Sequence, residues 1–146
     1  MSRTSTYLNF AHQTEEAFLF YRTVFGSEFT APGIRRFSDM PPMEGMPPMP
    51  EHLGRCVMHV ELPITGGHLL MGTDASESMG MKVNFGNNVY INLSPDTRAE
   101  TDRLFARLAE GGKVNMPLAE MFWGDYFGDL VDKFGVQWMF NCASKT

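Results

Sequence analysis

The chain has 146 residues, of which 43% are hydrophobic and 20% charged, and a formal net charge of -5, enough for one domain with its own core. No run of Lys and Arg is available to displace counterions from phosphate, which argues against a nucleic-acid partner. No apolar stretch is long enough to span a bilayer or shaped like a signal peptide, so a cytoplasmic protein without membrane contact is the expectation.

Thr6 to Phe10 reads as a first strand. Thr14 is placed to cap a helix, with Glu15 and Glu16 in the first turn, where the helix dipole favours anions. Ala17, Phe18, Tyr21, Val24 and Phe25 recur at helical spacing, and Gly26 suits a left-handed stop, so the segment predicts an amphipathic helix lying on a sheet. Ser27 to Phe37 reads as extended and broken at Pro32-Gly33.

The stretch from Asp39 to Pro50 contains five prolines, which bar both helix and sheet interior. Its Met40, Met43, Met46 and Met49 recur every third residue, a spacing that a polyproline II segment would align along one side. An adaptable lid, a contact with a second subunit, a disordered arm and a thioether site for Cu(I) all remain open for it.

Arg55 to Leu62 alternates, with Met58, Val60 and Leu62 on one face and Val57, His59 and Glu61 on the other. Pro63 to Gly67 is a turn, His68 to Thr73 a returning strand, and Asp74 to Gly86 a link between halves. Asn88 to Leu93 alternates again, with Val89, Ile91 and Leu93 opposed to Asn88, Tyr90 and Asn92. Thr97 and Glu100 have the spacing of a capping box before a helix striped by Leu104, Phe105 and Leu108 and ended by Gly111-Gly112. Lys113 to Glu120 is extended. A β-hairpin closes the chain, with Phe127 to Val131 and Val136 to Cys142 as strands and Asp132 to Gly135 as the turn. Its Val136, Trp138, Phe140 and Cys142 form the apolar face, and Gln137, Met139 and Asn141 the polar one. Cys56 and Cys142 fall within strand patterns, which fits reduced, buried thiols.

The order strand, helix, glycine stop and several strands therefore occurs twice, roughly 80 residues apart, which predicts an internal duplication. Each half then has a helix on one sheet face and a polar opposite face. These polar faces gather seven candidate ligand-binding residues: His59, Glu61, Tyr90, Asn92, Gln137, Met139 and Asn141. His59 and Glu61, two apart on one strand, share a face and are weak candidates for a proton-transfer pair. The others suit hydrogen bonding to a polar ligand or to ordered water.

With Glu120-Met121-Phe122-Trp123 and Asp132-Lys133-Phe134-Gly135-Val136-Gln137-Trp138-Met139 as its signatures, the chain resembles the PhnB-like group of the vicinal oxygen chelate superfamily, which also holds glyoxalase and bleomycin-resistance proteins and extradiol dioxygenases. The resemblance implies an α+β fold. Paired βαβββ modules, about 1–75 and 87–146, would form one glyoxalase-like barrel in a homodimer. It also implies that a divalent metal, where one is used, is held near Thr6, Met71, Tyr90 and Met139. Those side chains lack the imidazoles and carboxylates that such ions need, so no metal and no other cofactor is predicted. Metal-independent binding of a small polar or amphipathic molecule is the first functional expectation. The alternative is a metal-dependent enzyme of glyoxalase, lyase or dioxygenase type with unconventional ligands such as His59 and Glu61. A methyltransferase, a label the group also carries, is disfavoured because no glycine-rich strand-to-helix loop is present.

Overall fold

Alternation sets the first sheet. In the computed structural model, which describes residues 1–146, β1 (Thr6–Phe10) buries Phe10 and leaves Tyr7 and Asn9 exposed. Helix α1 (Thr14–Phe25) buries Ala17, Phe18, Tyr21 and Val24, while Phe25 is half-buried. Gly26 closes the helix at φ +64°, its N–H bonded to the Arg22 carbonyl, a conformation that only glycine adopts without strain. The extended segment after it contributes just β2 (Arg35–Arg36) to the sheet, because Gly33 N–H turns back onto the Thr30 carbonyl. A four-residue helix, α2 (Glu51–Gly54), leads into β3 (Val57–Pro63) and then β4 (Leu69–Asp74). The strand order is β1-β4-β3-β2, with β1 parallel to β4 and the other pairs antiparallel.

Helix α1 packs on β3 and β4. A Cβ on Gly72 would lie 2.5 Å from Phe18 Cε1, so this close approach of ring to strand requires glycine. The expected cap at Thr14 is corrected. Gln13 holds the N-cap position without a side-chain bond, and the Thr14 N–H is taken by Asp74, which also accepts from the Val57 N–H at 2.8 Å. Asp74, assigned to a link by sequence, is 4% exposed and joins the ends of three elements. Val57, expected on the polar face, is buried beside it. Cys56, just ahead of β3, is half-buried, and its thiol donates to the His52 carbonyl.

The contacts divide the chain into Met1–Val83 and Asn84–Thr146. The second unit consists of β5 (Ile91–Leu93), α3 (Arg98–Ala109), β6 (Lys113–Glu120), β7 (Tyr126–Val131) and β8 (Gln137–Cys142). Its order, β5-β8-β7-β6 with β5 parallel to β8, repeats that of the first sheet. The duplication read from sequence is thus a repeat of topology: two α+β units, each a βαβββ module.

Leu104, Phe105 and Leu108 of α3 are buried, and Phe105 meets Phe140 edge-on at 5.4 Å. Thr97 Oγ1 caps the Glu100 N–H at 3.1 Å, but Glu100 turns its own carboxylate to Arg103, so only half of the capping box forms. The closing hairpin has the expected faces, with Trp138, Phe140 and Cys142 fully buried. Asp132, 3% exposed, organises its turn by accepting from the N–H groups of Phe134 and Val136 and from Trp138 Nε1 at 2.8 Å. Strand β5 is shorter than the expected 88–93, and ahead of it the Val89 carbonyl accepts from the Gln137 side-chain amide at 2.7 Å. Val89, expected on the apolar face, is 69% exposed.

Candidate functional site

On β3 the alternation that turns Val60 and Leu62 inward presents His59 and Glu61 on the opposite face. Cα pairing sets Glu61 opposite Met71, Met71 opposite Tyr7, and His59 opposite Arg35, so these side chains share that face. Tyr7 Oη lies 3.0 Å from His59 Nδ1, His59 Nε2 lies 2.9 Å from Glu61 Oε2, and Thr30 Oγ1 donates to Glu61 Oε1 at 2.9 Å. The hydrogen bonds run unbroken from Tyr7 through His59 and Glu61 to Thr30. A neutral imidazole carrying its proton on Nε2 satisfies every link, with Tyr7 donating to Nδ1.

The bonds from His59, and then from Thr30, hold the Glu61 carboxyl below the usual carboxylate range. Burial, and to a lesser degree the charge of Glu61, pushes the Tyr7 hydroxyl up, against a hydrogen bond from Thr73. The face therefore pairs a carboxylate with a neutral phenol across one imidazole. The side chains of His59 and Glu61 remain 29% and 26% exposed, within reach of a ligand.

Tyr7 and Thr30 were not among the sequence candidates. The signal for Tyr7 lay in the alternation of Thr6, Leu8 and Phe10 against Tyr7 and Asn9. Thr30, on the irregular segment before β2, had none.

The remaining five candidates belong to the second unit. Asn92, Gln137, Met139 and Asn141 share one face of its sheet, Met139 sitting between Asn92 and Asp129. Tyr90 lies ahead of β5 in irregular chain and is half-buried. The amides donate locally: Gln137 to the Val89 carbonyl at 2.7 Å, Asn141 to Asp125 at 2.8 Å and Asn92 to Ser94 at 3.2 Å. Asp129 Oδ1 is closed to solvent and has no hydrogen-bond partner.

The metal positions implied by family resemblance do not assemble a fitting donor set. Thr6 faces away from Tyr7 and bonds His68 Nε2 at 2.9 Å, Met71 and Met139 offer soft thioethers, and Tyr90 offers a phenol. A hard or borderline divalent ion needs carboxylates or imidazoles instead.

The Met-Pro arm makes a site of a different kind. It does not run as one polyproline helix but folds back at Glu44-Gly45, where the Met46 N–H bonds the Met43 carbonyl and Gly45 has φ +83°. All four of its methionines then line one apolar hollow of about 690 Å³, whose polar members include Ser38, Glu51 and Arg55. A smaller hollow of about 460 Å³ lies beside His12, His52, Ser76 and Lys82.

With this geometry, the comparisons with known proteins are consistent. The chain is 31% identical to Protein YjdN of Escherichia coli K12 over 146 residues, covering 97% of this chain and 95% of that one. The crystal structure of PA1353 from Pseudomonas aeruginosa is 34% identical with a TM-score of 0.80, over 97% and 98% of the two chains. The PhnB protein of Bacillus cereus is 28% identical with a TM-score of 0.72, over 97% and 100%. The fold extends to a glyoxalase/bleomycin resistance protein/dioxygenase family enzyme from Burkholderia phytofirmans, 19% identical at a TM-score of 0.61 over 95% and 98%. The family model described as 3-demethylubiquinone-9 3-methyltransferase matches residues 2–140, and the chain belongs to that family, the PhnB-like group, on a glyoxalase-type fold.

Proposed function

We propose that the protein binds a small polar or amphipathic molecule without a metal, on the polar face of the first sheet, and that it does so as a homodimer. The observation that carries the binding reading is the Tyr7–His59–Glu61–Thr30 line. It fixes one imidazole between an acid and a phenol, beside the flexible thioether of Met71, an arrangement suited to orienting a ligand that has one hydrogen-bonding group and an apolar body. The exposed Val114 and Met116 on edge strand β6, with Phe122 and Trp123 after it, support association between copies.

The test is thermal shift of EDTA-treated protein against a panel of small phenols, amides and carboxylic acids. A ligand at a hundredfold excess over its Kd stabilises by about 2.7 kcal/mol, or several degrees in a chain of this size. The gain is expected to survive EDTA and to vanish in His59→Ala. Stabilisation that ignores His59→Ala, or that needs added Zn, Mn or Ni, refutes the reading.

The same line favours one alternative, an enzyme. His59 is placed to move a proton while Glu61 stabilises the imidazolium, or His59 and Glu61 serve as the first two ligands of an ion whose set a substrate completes. One equivalent of metal per chain by elemental analysis, lost in His59→Ala, selects that alternative. The family's descriptive name refers to methyl transfer. The β1–α1 connection here is Ala11-His12-Gln13 and the sheet is mixed, unlike the glycine-rich turn and parallel sheet by which a Rossmann-type fold holds its cofactor, so the proposal includes no methyl transfer.

A further inference from the structure

Two apolar features of the chain stay largely exposed and match each other in chemistry. The first is the Met-Pro hollow. The second is the aromatic pair in the turn between β6 and β7, where Phe122 is 98% and Trp123 50% exposed. The rings meet edge-on at 5.0 Å, and Trp123 leans on Phe127. The turn is held by Met121 N–H on the Asp125 carbonyl, Gly124 N–H on the Met121 carbonyl and the Lys145 ammonium on the Gly124 carbonyl. It is a fixed aromatic knob rather than a loose tip.

We infer that the Phe122–Trp123 knob of one copy seats in the Met-Pro hollow of a second copy. Methionine is flexible and polarisable and makes favourable contacts with aromatic edges, so four of them form a receptor that adapts to rings. The hollow lies in the size range that encloses a drug-sized molecule, which admits both rings. Charge agrees. At the hollow Arg55 and Glu51 are loosely paired at 3.5 Å, both largely exposed, and beside the knob stand the Asp125 carboxylate, met by the amide of Asn141, and the Lys145 ammonium, so each side carries a cation and a carboxylate. Seating the knob matches Arg55 with Asp125 and Glu51 with Lys145. In a twofold dimer the contact occurs twice, each copy giving a knob and receiving one. This rests on the homodimer reading above and names the surfaces that make it.

The experiment is sedimentation velocity across a concentration series with the full chain and two double variants, Phe122→Ser/Trp123→Ser and Met43→Glu/Met46→Glu. All four side chains are exposed, and circular dichroism verifies that each variant folds. The wild type is expected to dimerise, and each variant to weaken dimerisation roughly thirtyfold or more, as loss of a central interface anchor does. An equimolar mixture of the two variants, which retains one intact knob and hollow per pair, is expected to associate more tightly than either alone. Millimolar indole, a mimic of the knob, is expected to shift the wild type toward monomer. A wild type that stays monomeric overturns the dimer reading and this inference together. A wild-type dimer unaffected by either variant, or variants that gain nothing on mixing, overturns this inference alone. So does indole that stabilises the hollow without weakening the dimer, which would make it a small-molecule site.

Discussion

On the first sheet Glu61 receives hydrogen bonds from His59 and Thr30 and the line continues to Tyr7, whereas on the second sheet Gln137, Asn92 and Asn141 each donate to the nearest loop. Both sheets have the same strand order and the same parallel pairing of first and last strand. A duplicated topology persists because many apolar side chains satisfy a buried face, while a polar face has no such tolerance and diverges residue by residue. The difference places the connected chemistry in one half and self-satisfied amides in the other.

The largest test of the comparison removes the buried carboxylate that anchors each half. Asp132→Ala strands two backbone N–H groups and the Trp138 indole, a loss of about 3–5 kcal/mol at ordinary costs for buried unsatisfied donors. Asp74→Ala strands two backbone groups and is expected to cost less, about 2–4 kcal/mol. Urea unfolding ranks them, and the reverse order would contradict this account of the hubs.

Gly72→Ala comes next. Its methyl drives into Phe18, and overpacking of this kind costs about 1–3 kcal/mol, read as a lower urea midpoint at unchanged slope.

A smaller effect sharpens the contrast between the polar faces. The Glu61 carboxyl titrates lower in the folded chain than in the unfolded one, so its bonds to His59 and Thr30 stabilise fully above the unfolded carboxylate range, and that contribution is lost as pH falls through the lowered folded value. Glu61→Gln is expected to remove this segment of the acid limb, a change of roughly 1 kcal/mol or less for a partly exposed pair. Parallel acid titrations that do not separate would disprove it. Smallest of all, Gln137→Ala and Asn141→Ala should each change stability by less than about 1 kcal/mol and leave binding of the small-molecule panel unaltered. Loss of binding in either would move the site to the second sheet.

Sequence carried the hairpin nearly residue by residue, because alternation, a turn rich in Asp and Gly, and burial of Trp138 all point one way. It carried the two long helices, α1 and α3, and the contact between His59 and Glu61 for the same reason, but not the four-residue α2. It did not carry Asp74, whose role depends on β4 ending where α1 and β3 begin, a meeting of three elements distant in sequence. Tyr7 is legible only in the two-face alternation of Thr6 to Phe10, a signal that five residues carry weakly. The foldback of the Met-Pro arm turns on Gly45, a local choice that the three-residue methionine spacing concealed.

The burial of Trp138 on β8 has a practical consequence. Both tryptophans, Trp123 and Trp138, lie in Asn84–Thr146, and Met1–Val83 has none. Tryptophan emission, excited at wavelengths that tyrosine does not absorb, therefore reports the second half alone, since the first half holds only Tyr7 and Tyr21 as other fluorophores of note. The first half has its own label in Cys56, a half-buried thiol pushed up by burial, whose alkylation is expected to quicken as its surroundings unfold. Following fluorescence and Cys56 alkylation along one denaturant series reads the halves separately. Coincident midpoints would mean that the duplicated modules melt as one cooperative body, and separated midpoints would give each a stability of its own.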